Sequence, residues 1–344
     1  MKDGKFSCGI VGCGVIGPFH ATAIANAEGT YLAAVCDVVE DKAKKLAEDN
    51  GGAKVYTDYA EMLKDDEIDI IHVCTPSGMH SDMAVAAAQA GKNILCEKPM
   101  DITLPKADAM IQAVDKAGVK MGVIFQRRTY KATQMAREAV QSGKLGKMVL
   151  GDCYQKYYRS PEYYLSGDWR GTWALDGGGA LMNQGVHGID AIRYIMGKPK
   201  MLFAKADHLV RDIEVEDTAC AVIEWECGAF GVIQGTTSVT PGQGCRIELH
   251  GEKGTISLAD KKITTWKIEG EEGEPPATDE TPAGDAANDP KAISAGGHIC
   301  QLADLVEAIK EDRAPMCDGR EGRGALEIIL AIYESAKTGK PVYF

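Results

Sequence analysis

The segment Gly12-Cys13-Gly14-Val15-Ile16-Gly17 lies between an apolar run, Phe6–Val11, and a helical pattern that begins at Phe19. A strand that passes through closely spaced glycines into a helix has few folding options. The first glycine permits a tight turn, the second lets the backbone approach a ligand, and the third lets the helix pack on the strand. The helix N-terminus then offers amide donors and a positive dipole end, which suit a pyrophosphate. Asp37 ends the next apolar run about twenty residues on, where a carboxylate can accept bonds from an adenosine ribose. Val38 and Val39 supply no basic partner for a 2′-phosphate, so NAD is expected rather than NADP. Gly12, Gly14, Val15, Ile16, Gly17 and Asp37 are therefore the first candidate cofactor residues.

Apolar strands alternate with helical stretches up to residue 126. Strands are expected at Tyr31–Cys36, Ile68–Cys74, Asn93–Cys96 and Met121–Phe125, with helices at Phe19–Ala27, Asp41–Glu48, Ser81–Ala90 and Leu104–Ala117. This rhythm reads as a doubly wound parallel sheet. Gly91 and Gly118 follow two of the helices, where a left-handed C-cap belongs. Beyond Gln126 the pattern changes. A helix over Thr133–Ser142 and the run Met148–Gln155 lead into a connection rich in aromatics, and a further helix is expected over Leu181–Met196. Met201–Lys267 alternates apolar and polar residues, as an antiparallel sheet with one buried face should. The acidic, Pro- and Gly-rich stretch Glu269–Pro290 reads as a surface loop, and helices Gln301–Glu311 and Glu321–Lys337 close the chain. The expected division is a dinucleotide-binding domain over 1–126 and a substrate-binding and oligomerisation domain over 127–344.

A chain of 344 residues can hold two such cores. Its formal net charge of -12 argues against a nucleic-acid groove. The longest apolar stretches, Ile68–Cys74 and Ala325–Tyr333, fall short of the ~20 residues of a membrane span. The first apolar run leads straight into the glycine turn, so no leader peptide is expected. Eleven cysteines, an odd number without a Cys-x-x-Cys pair, indicate neither a disulfide framework nor a zinc site. A cytoplasmic location and no metal are expected.

Two nitrogen side chains stand out. Lys98, in Cys96-Glu97-Lys98-Pro99, follows a strand whose carboxyl end faces the ligand crevice of such sheets. His187 lies far downstream in the glycine-rich stretch Gly177–Asp190. Oxidation of a secondary alcohol needs a hydride acceptor, a base for the hydroxyl proton and a donor that polarises the oxygen; Lys98 and His187 can share the last two tasks. A partly desolvated lysine beside a cationic nicotinamide would have its pKa pushed down, whereas histidine already titrates near working pH. Thr75-Pro76-Ser77-Gly78-Met79-His80 reads as a second loop lining the cofactor, with His80 either touching the dinucleotide or starting a helix. Thr75, Pro76, His80, Glu97, Lys98 and Gln126 join the candidate cofactor set.

Helical spacing puts Asn183 and His187 on one face, and Asp190, three residues further, either orients the imidazole or bonds helix to sheet. In Trp169-Arg170-Gly171-Thr172-Trp173 the rings can pack on a sugar or the nicotinamide, and Arg170 can bind a carboxylate or phosphate. The same segment reads equally as a loop anchored by its tryptophans. Tyr157 and Tyr158 are further pocket candidates. His298, after Gly296-Gly297, either reaches the site or starts a helix. The substrate-binding set is thus Lys98, Asn183, His187, Arg170, Trp173 and Tyr158, with Lys98 and His187 as the catalytic pair.

The glycine turn, Thr75–His80, Glu97-Lys98-Pro99 and the Gly177–Asp190 stretch together resemble the glucose–fructose oxidoreductase/inositol dehydrogenase (Gfo/Idh/MocA) family along the whole chain. The resemblance implies an α/β architecture: an N-terminal Rossmann domain plus a C-terminal α/β domain with a large, mostly antiparallel, open-faced sheet. It implies an NAD-dependent sugar or polyol dehydrogenase that contacts the reacting hydroxyl through Lys98 and His187. It also implies a cis Lys98–Pro99 bond and a homodimer or homotetramer formed through the C-terminal sheet. The sequence departs from the family at Asn183, where many members carry aspartate; an amide positions a substrate but takes no proton. Asparagine here resembles the subgroup that acts on nucleotide-linked sugars and glycosides, often at C3. Two other readings accompany this one: a glycoside-cleaving enzyme that oxidises transiently through bound NAD, and a non-catalytic NAD or sugar sensor.

Overall fold

The computed structural model describes residues 4–278, 287–289 and 294–344. In chain order the elements are β1 (Phe6–Val11), α1 (Gly17–Asn26), β2 (Thr30–Cys36), α2 (Glu40–Asp49), β3 (Lys54–Tyr56), α3 (Tyr59–Leu63), β4 (Ile70–Val73), α4 (His80–Gln89), β5 (Asn93–Cys96), α5 (Leu104–Ala117) and β6 (Met121–Val123). Then come α6 (Lys131–Gln141), β7 (Met148–Lys156), α7 (Pro161–Leu165), α8 (Val186–Met196), β8 (Pro199–Asp207), β9 (Thr218–Trp225), β10 (Phe230–Thr236), β11 (Gly244–Gly251), β12 (Gly254–Ala259), β13 (Lys262–Ile268), α9 (Gly296–Glu311), α10 (Gly319–Thr338) and β14 (Val342–Tyr343). Among the described residues no helix is long and apolar enough to cross a membrane.

The chain forms two compact units, one of Met1–Phe125 with Ser294–Arg323, the other of Gln126–Ile293 with Gly324–Phe344. In the first unit six strands run in the order β3-β2-β1-β4-β5-β6, every pair parallel. All residues of β1 and β4 are buried, which is why these strands read as unbroken apolar runs. The strand order reverses direction at β1 and β4, so the carboxyl ends of those two strands form the topological switch point where such sheets bind ligands. Gly118 caps α5 in the left-handed conformation (φ 69°), and Gly91 likewise has a positive φ after α4.

The segment 294–323 corrects the expected division at residue 126. Leu302, Leu305 and Val306 of α9 are buried in one apolar cluster with Phe6, Ile24 and Ile70. A helix stripe near the end of the chain thus completes a core begun by its first strand, which local periodicity cannot reveal.

Among the described residues the second unit holds eight strands in the order β13-β12-β11-β7-β10-β9-β8-β14. Only β7 and β10 pair in parallel; the other neighbours are antiparallel. Alternation along β9 buries Ala219, Ala221, Ile223 and Trp225 and leaves Val222 exposed, with Phe203 and Phe230 exposed on the flanking strands. The expected open-faced sheet is therefore present. The expected helix over Leu181–Met196 is divided into a π-helical stretch, Ala180–Gly185, and α8. Of the expected surface loop Glu269–Pro290, residues 279–286 and 290 lie outside the described residues.

Candidate cofactor and catalytic site

Each glycine of the first turn meets a different steric demand. Gly12 has φ 93°, and a Cβ there would lie 2.5 Å from the Cys74 carbonyl oxygen and 2.8 Å from the Thr75 nitrogen. The turn therefore rests against the end of β4. A Cβ at Gly14 would meet no atom within 4 Å, so this backbone faces open space, as a phosphate-approaching position should. At Gly17 a Cβ would sit 3.1 Å from the Gly12 oxygen and 3.4 Å from Leu46, the close packing expected of the third glycine. Ile16 is the N-cap of α1, and Val15 is exposed beside Gly14.

Asp37 follows β2 and accepts the backbone N–H of Cys13 at 2.8 Å and of Val39 at 2.9 Å, one on each oxygen. This holds the carboxylate beside the glycine turn with lone pairs left for ribose hydroxyls. The turn, the open face at Gly14 and the oriented Asp37 together fit a dinucleotide. Burial, with Asp37 nearby, pushes the Cys13 thiol up to about 12 and the Cys36 thiol to about 11, so both pack as small apolar groups.

The second loop is tied to the Lys98 turn through His80. The ring is buried, with Nδ1 2.7 Å from the Pro99 oxygen and Nε2 2.9 Å from the Thr75 oxygen. His80 begins α4, and both its nitrogens face backbone carbonyls. The Lys98–Pro99 peptide is cis. Lys98 is half-buried and Pro99 fully so. Glu97 turns inward: Oε1 lies 2.9 Å from His20 Nε2 and 3.0 Å from His298 Nε2, and Oε2 accepts the Lys98 N–H at 3.1 Å. Its carboxylate is thus engaged by protein groups. His298 occupies the first turn of α9, within the same unit.

In the second unit the glycine-rich stretch is shaped by Glu216 and Tyr333. A Cβ at Gly179 would run into the Glu216 carbonyl, and one at Gly178 into the Tyr333 hydroxyl. The Glu216 carboxylate accepts the N–H groups of Gly179 and Leu181, both at 2.8 Å, and the Tyr333 hydroxyl donates to it at 2.9 Å. These bonds satisfy donors at the start of the π-helical stretch that a helix otherwise leaves orphaned. Burial pushes the Glu216 carboxyl up to about 7, although the same donors pull it down. Buried Gln155 pins the junction with α8: Nε2 donates to the Gly185 oxygen at 2.7 Å, and Oε1 accepts the Gly188 N–H at 3.2 Å.

On this anchored segment Asn183 and His187 are both half-buried. Asn183 Nδ2 donates to Asp176 Oδ1 at 2.9 Å, and Asp176 Oδ2 accepts the Gly171 N–H at 2.9 Å. Arg170 donates to the Tyr163 hydroxyl at 2.6 Å and lies over the Tyr163 and Trp169 rings; Gln184 donates to the same hydroxyl at 2.9 Å. Gln184 Nε2 also donates to Asn183 Oδ1 at 3.4 Å, which brings Asn183 and Arg170 into one hydrogen-bonded group. Trp173 is 47% exposed, donates from Nε1 to the Glu214 oxygen and meets Tyr333 edge-on. Tyr158 lies under Arg211 and Tyr157 is buried beside Arg127. Gln126 opens a 3-10 turn and is half-buried. Asp190 engages buried Arg128, in that 3-10 turn, through both oxygens, at 2.8 and 2.6 Å. Glu216 and Tyr333 escaped sequence reasoning because each acts through a partner distant in the chain, and Asp176 and Tyr163 because their short-range bonds follow no periodic pattern.

A parallel sheet with a dinucleotide turn at its switch point, followed by a unit built on an open sheet, defines a two-domain nucleotide-dependent oxidoreductase. Residues 6–125 match the oxidoreductase family with NAD-binding Rossmann fold, and residues 133–257 match the GFO/IDH/MocA C-terminal domain. The chain belongs to the GFO/IDH/MocA family. It is 33% identical over 273 residues to myo-inositol 2-dehydrogenase of Thermotoga maritima, covering 77% of this chain and 79% of that protein. Among solved structures it is similar to the WlbA dehydrogenase of Bordetella pertussis in complex with NADH and UDP-GlcNAcA. The TM-score is 0.86 at 32% identity, with 99% of each chain covered. The WlbA dehydrogenase of Chromobacterium violaceum, with the same ligands, aligns with a TM-score of 0.88 at 32% identity, over 100% of this chain and 97% of that one.

Proposed function

We propose that this protein is an NAD-dependent oxidoreductase that oxidises a secondary hydroxyl of a sugar, glycoside or cyclic polyol. The observation that carries the reading is the open backbone at Gly14 beside an Asp37 carboxylate oriented by two N–H donors. NAD, when bound, supplies the hydride acceptor. Asp37 favours a free ribose over a 2′-phosphate, which selects NAD.

In the proposed chemistry His187 accepts the hydroxyl proton while Lys98 assists by stabilising charge on the oxygen. Asn183 positions the substrate through its amide, which Asp176 orients. Arg170, held by Tyr163, binds an acidic substituent such as a carboxylate or phosphate. Trp173 and Tyr158 offer ring faces to a sugar. Curated relatives that act on inositol and solved relatives that hold UDP-GlcNAcA support a sugar or polyol substrate.

The open face of the second unit carries Phe203 opposite Val222 and Phe230 opposite Leu150, each at least 38% exposed. An apolar stripe of this kind suits pairing with a second copy, so a homodimer or homotetramer is proposed.

The decisive experiment follows NADH absorbance while the purified protein and NAD are offered inositols, free sugars, glycosides and nucleotide-linked sugars, including uronic acids. NADH formation with at least one class is expected. Protein that binds NADH yet turns over no member of the panel would overturn the reading.

A further inference from the structure

Four titratable side chains from four elements converge in the core and reach the Lys98 backbone through Glu97. His20 comes from α1, His72 from β4, Glu97 from the end of β5 and His298 from α9; each is at most 5% exposed. Glu97 Oε1 faces His20 Nε2 at 2.9 Å and His298 Nε2 at 3.0 Å, and His20 Nδ1 faces His72 Nδ1 at 2.8 Å.

We propose that this cluster holds one fixed negative charge behind the Lys98 turn, so that Lys98 works as a cation, with His20 and His298 as positioning residues acting through Glu97. The inference rests on the catalytic reading above, in which His187 accepts the proton, and refines it: Lys98 keeps its own proton through the reaction.

The proton positions follow from the geometry. Two imidazole nitrogens on one carboxylate oxygen both donate, so His20 and His298 each carry hydrogen on Nε2. A neutral His20 then has a bare Nδ1, which accepts from His72 Nδ1–H. That leaves His72 Nε2 without hydrogen, and this atom is buried with no hydrogen-bond partner among the described residues. An unprotonated nitrogen in an apolar pocket costs least there; a protonated one would be an orphaned donor. Burial favours a neutral carboxyl at Glu97, but the bonds from His20 and His298 outweigh it and hold Glu97 well below the usual carboxylate range. Burial also lowers His20 and His72, against the pull of Glu97.

His80 and the two nearest thiols add no charge beside Glu97. Burial lowers His80 and raises the Cys74 and Cys96 thiols, which therefore stay neutral. Oε2 meanwhile accepts the Lys98 backbone N–H at 3.1 Å, which fixes the carboxylate to the backbone of the residue that carries the amine. A fixed anion in a low-dielectric core favours the protonated lysine.

The test reads Lys98 itself. Competitive labelling with acetic anhydride across a pH series, followed by peptide mass spectrometry, reports the pH at which the Lys98 amine becomes reactive. Glu97→Gln removes the charge with little change of shape. It is expected to move that pH down by about one unit, so that labelling at fixed pH rises roughly tenfold. His298→Leu should move it in the same direction, and His298→Gln, which keeps a donor, should restore most of the wild-type value. Retained NADH binding and thermal melting verify folding, and the His298 pair serves if Glu97→Gln does not fold. An unmoved Lys98 midpoint in a folded Glu97→Gln or His298→Leu protein overturns the proposal. Undiminished turnover by Lys98→Ala would instead overturn the catalytic reading, whatever the labelling shows.

Discussion

The Glu216 carboxylate accepts the Leu181 N–H at 2.8 Å and so anchors the start of the segment that carries Asn183 and His187. Burial pushes the carboxyl up to about 7 in the folded protein, against an ordinary value of 4.5. The folded state therefore keeps a proton that the unfolded chain releases at lower pH. Stability from this group is complete below about pH 4.5 and is lost as pH rises through 7. The total amounts to about 3 kcal/mol, because one pH unit of displacement corresponds to ~1.4 kcal/mol. Denaturant melts of the wild type between pH 5 and 8 should show this decline, and Glu216→Gln should flatten it. A Glu216→Gln profile with the wild-type slope would assign the decline to other groups.

Lys98→Ala and His187→Ala are each expected to lower kcat by roughly 10²–10⁴-fold while NADH binding is retained. Steady-state kinetics with a substrate from the sugar panel, paired with NADH fluorescence titration, measures both quantities. Near-normal turnover in both variants would remove the proposed chemistry.

Gly14→Asp separates binding from folding. The added side chain enters open space, so thermal stability should stay within about 1 kcal/mol of wild type. A carboxylate where a pyrophosphate approaches should nevertheless weaken NADH binding at least tenfold, about 1.4 kcal/mol. Unchanged NADH affinity would place the phosphates elsewhere.

Phe230 is 60% exposed on the open sheet face. Phe230→Glu should shift the protein toward monomer in light-scattering chromatography while its circular dichroism is preserved, because a buried unpaired charge opposes assembly. A wild type that already runs as a monomer would remove the proposed pairing.

Much of the fold is legible along the chain. The glycine turn, the parallel strands β1, β2, β4, β5 and β6 and the antiparallel region all announce themselves through short-range patterns. The elements missed in the first unit, β3 and α3, are only 3 and 5 residues long, too short to show a period. The π-helical stretch at Ala180–Gly185 escaped for another reason. Its geometry is imposed by Glu216, Tyr333 and Gln155, which arrive from other parts of the chain. Glu97 is instructive in the same way: its place in Glu-Lys-Pro marks the turn, yet the sequence says nothing of where its carboxylate points.

By itself the sequence determined the dinucleotide turn, the two kinds of sheet and the residues available for chemistry, because backbone sterics and side-chain alternation act over a few neighbouring positions. Only the tertiary structure decided that segment 294–323 completes the first unit and that Glu97 is bound by His20 and His298, 77 and 201 residues away. A buried charge is tolerated only where donors surround it, and folding brings those donors together from positions that no local pattern connects.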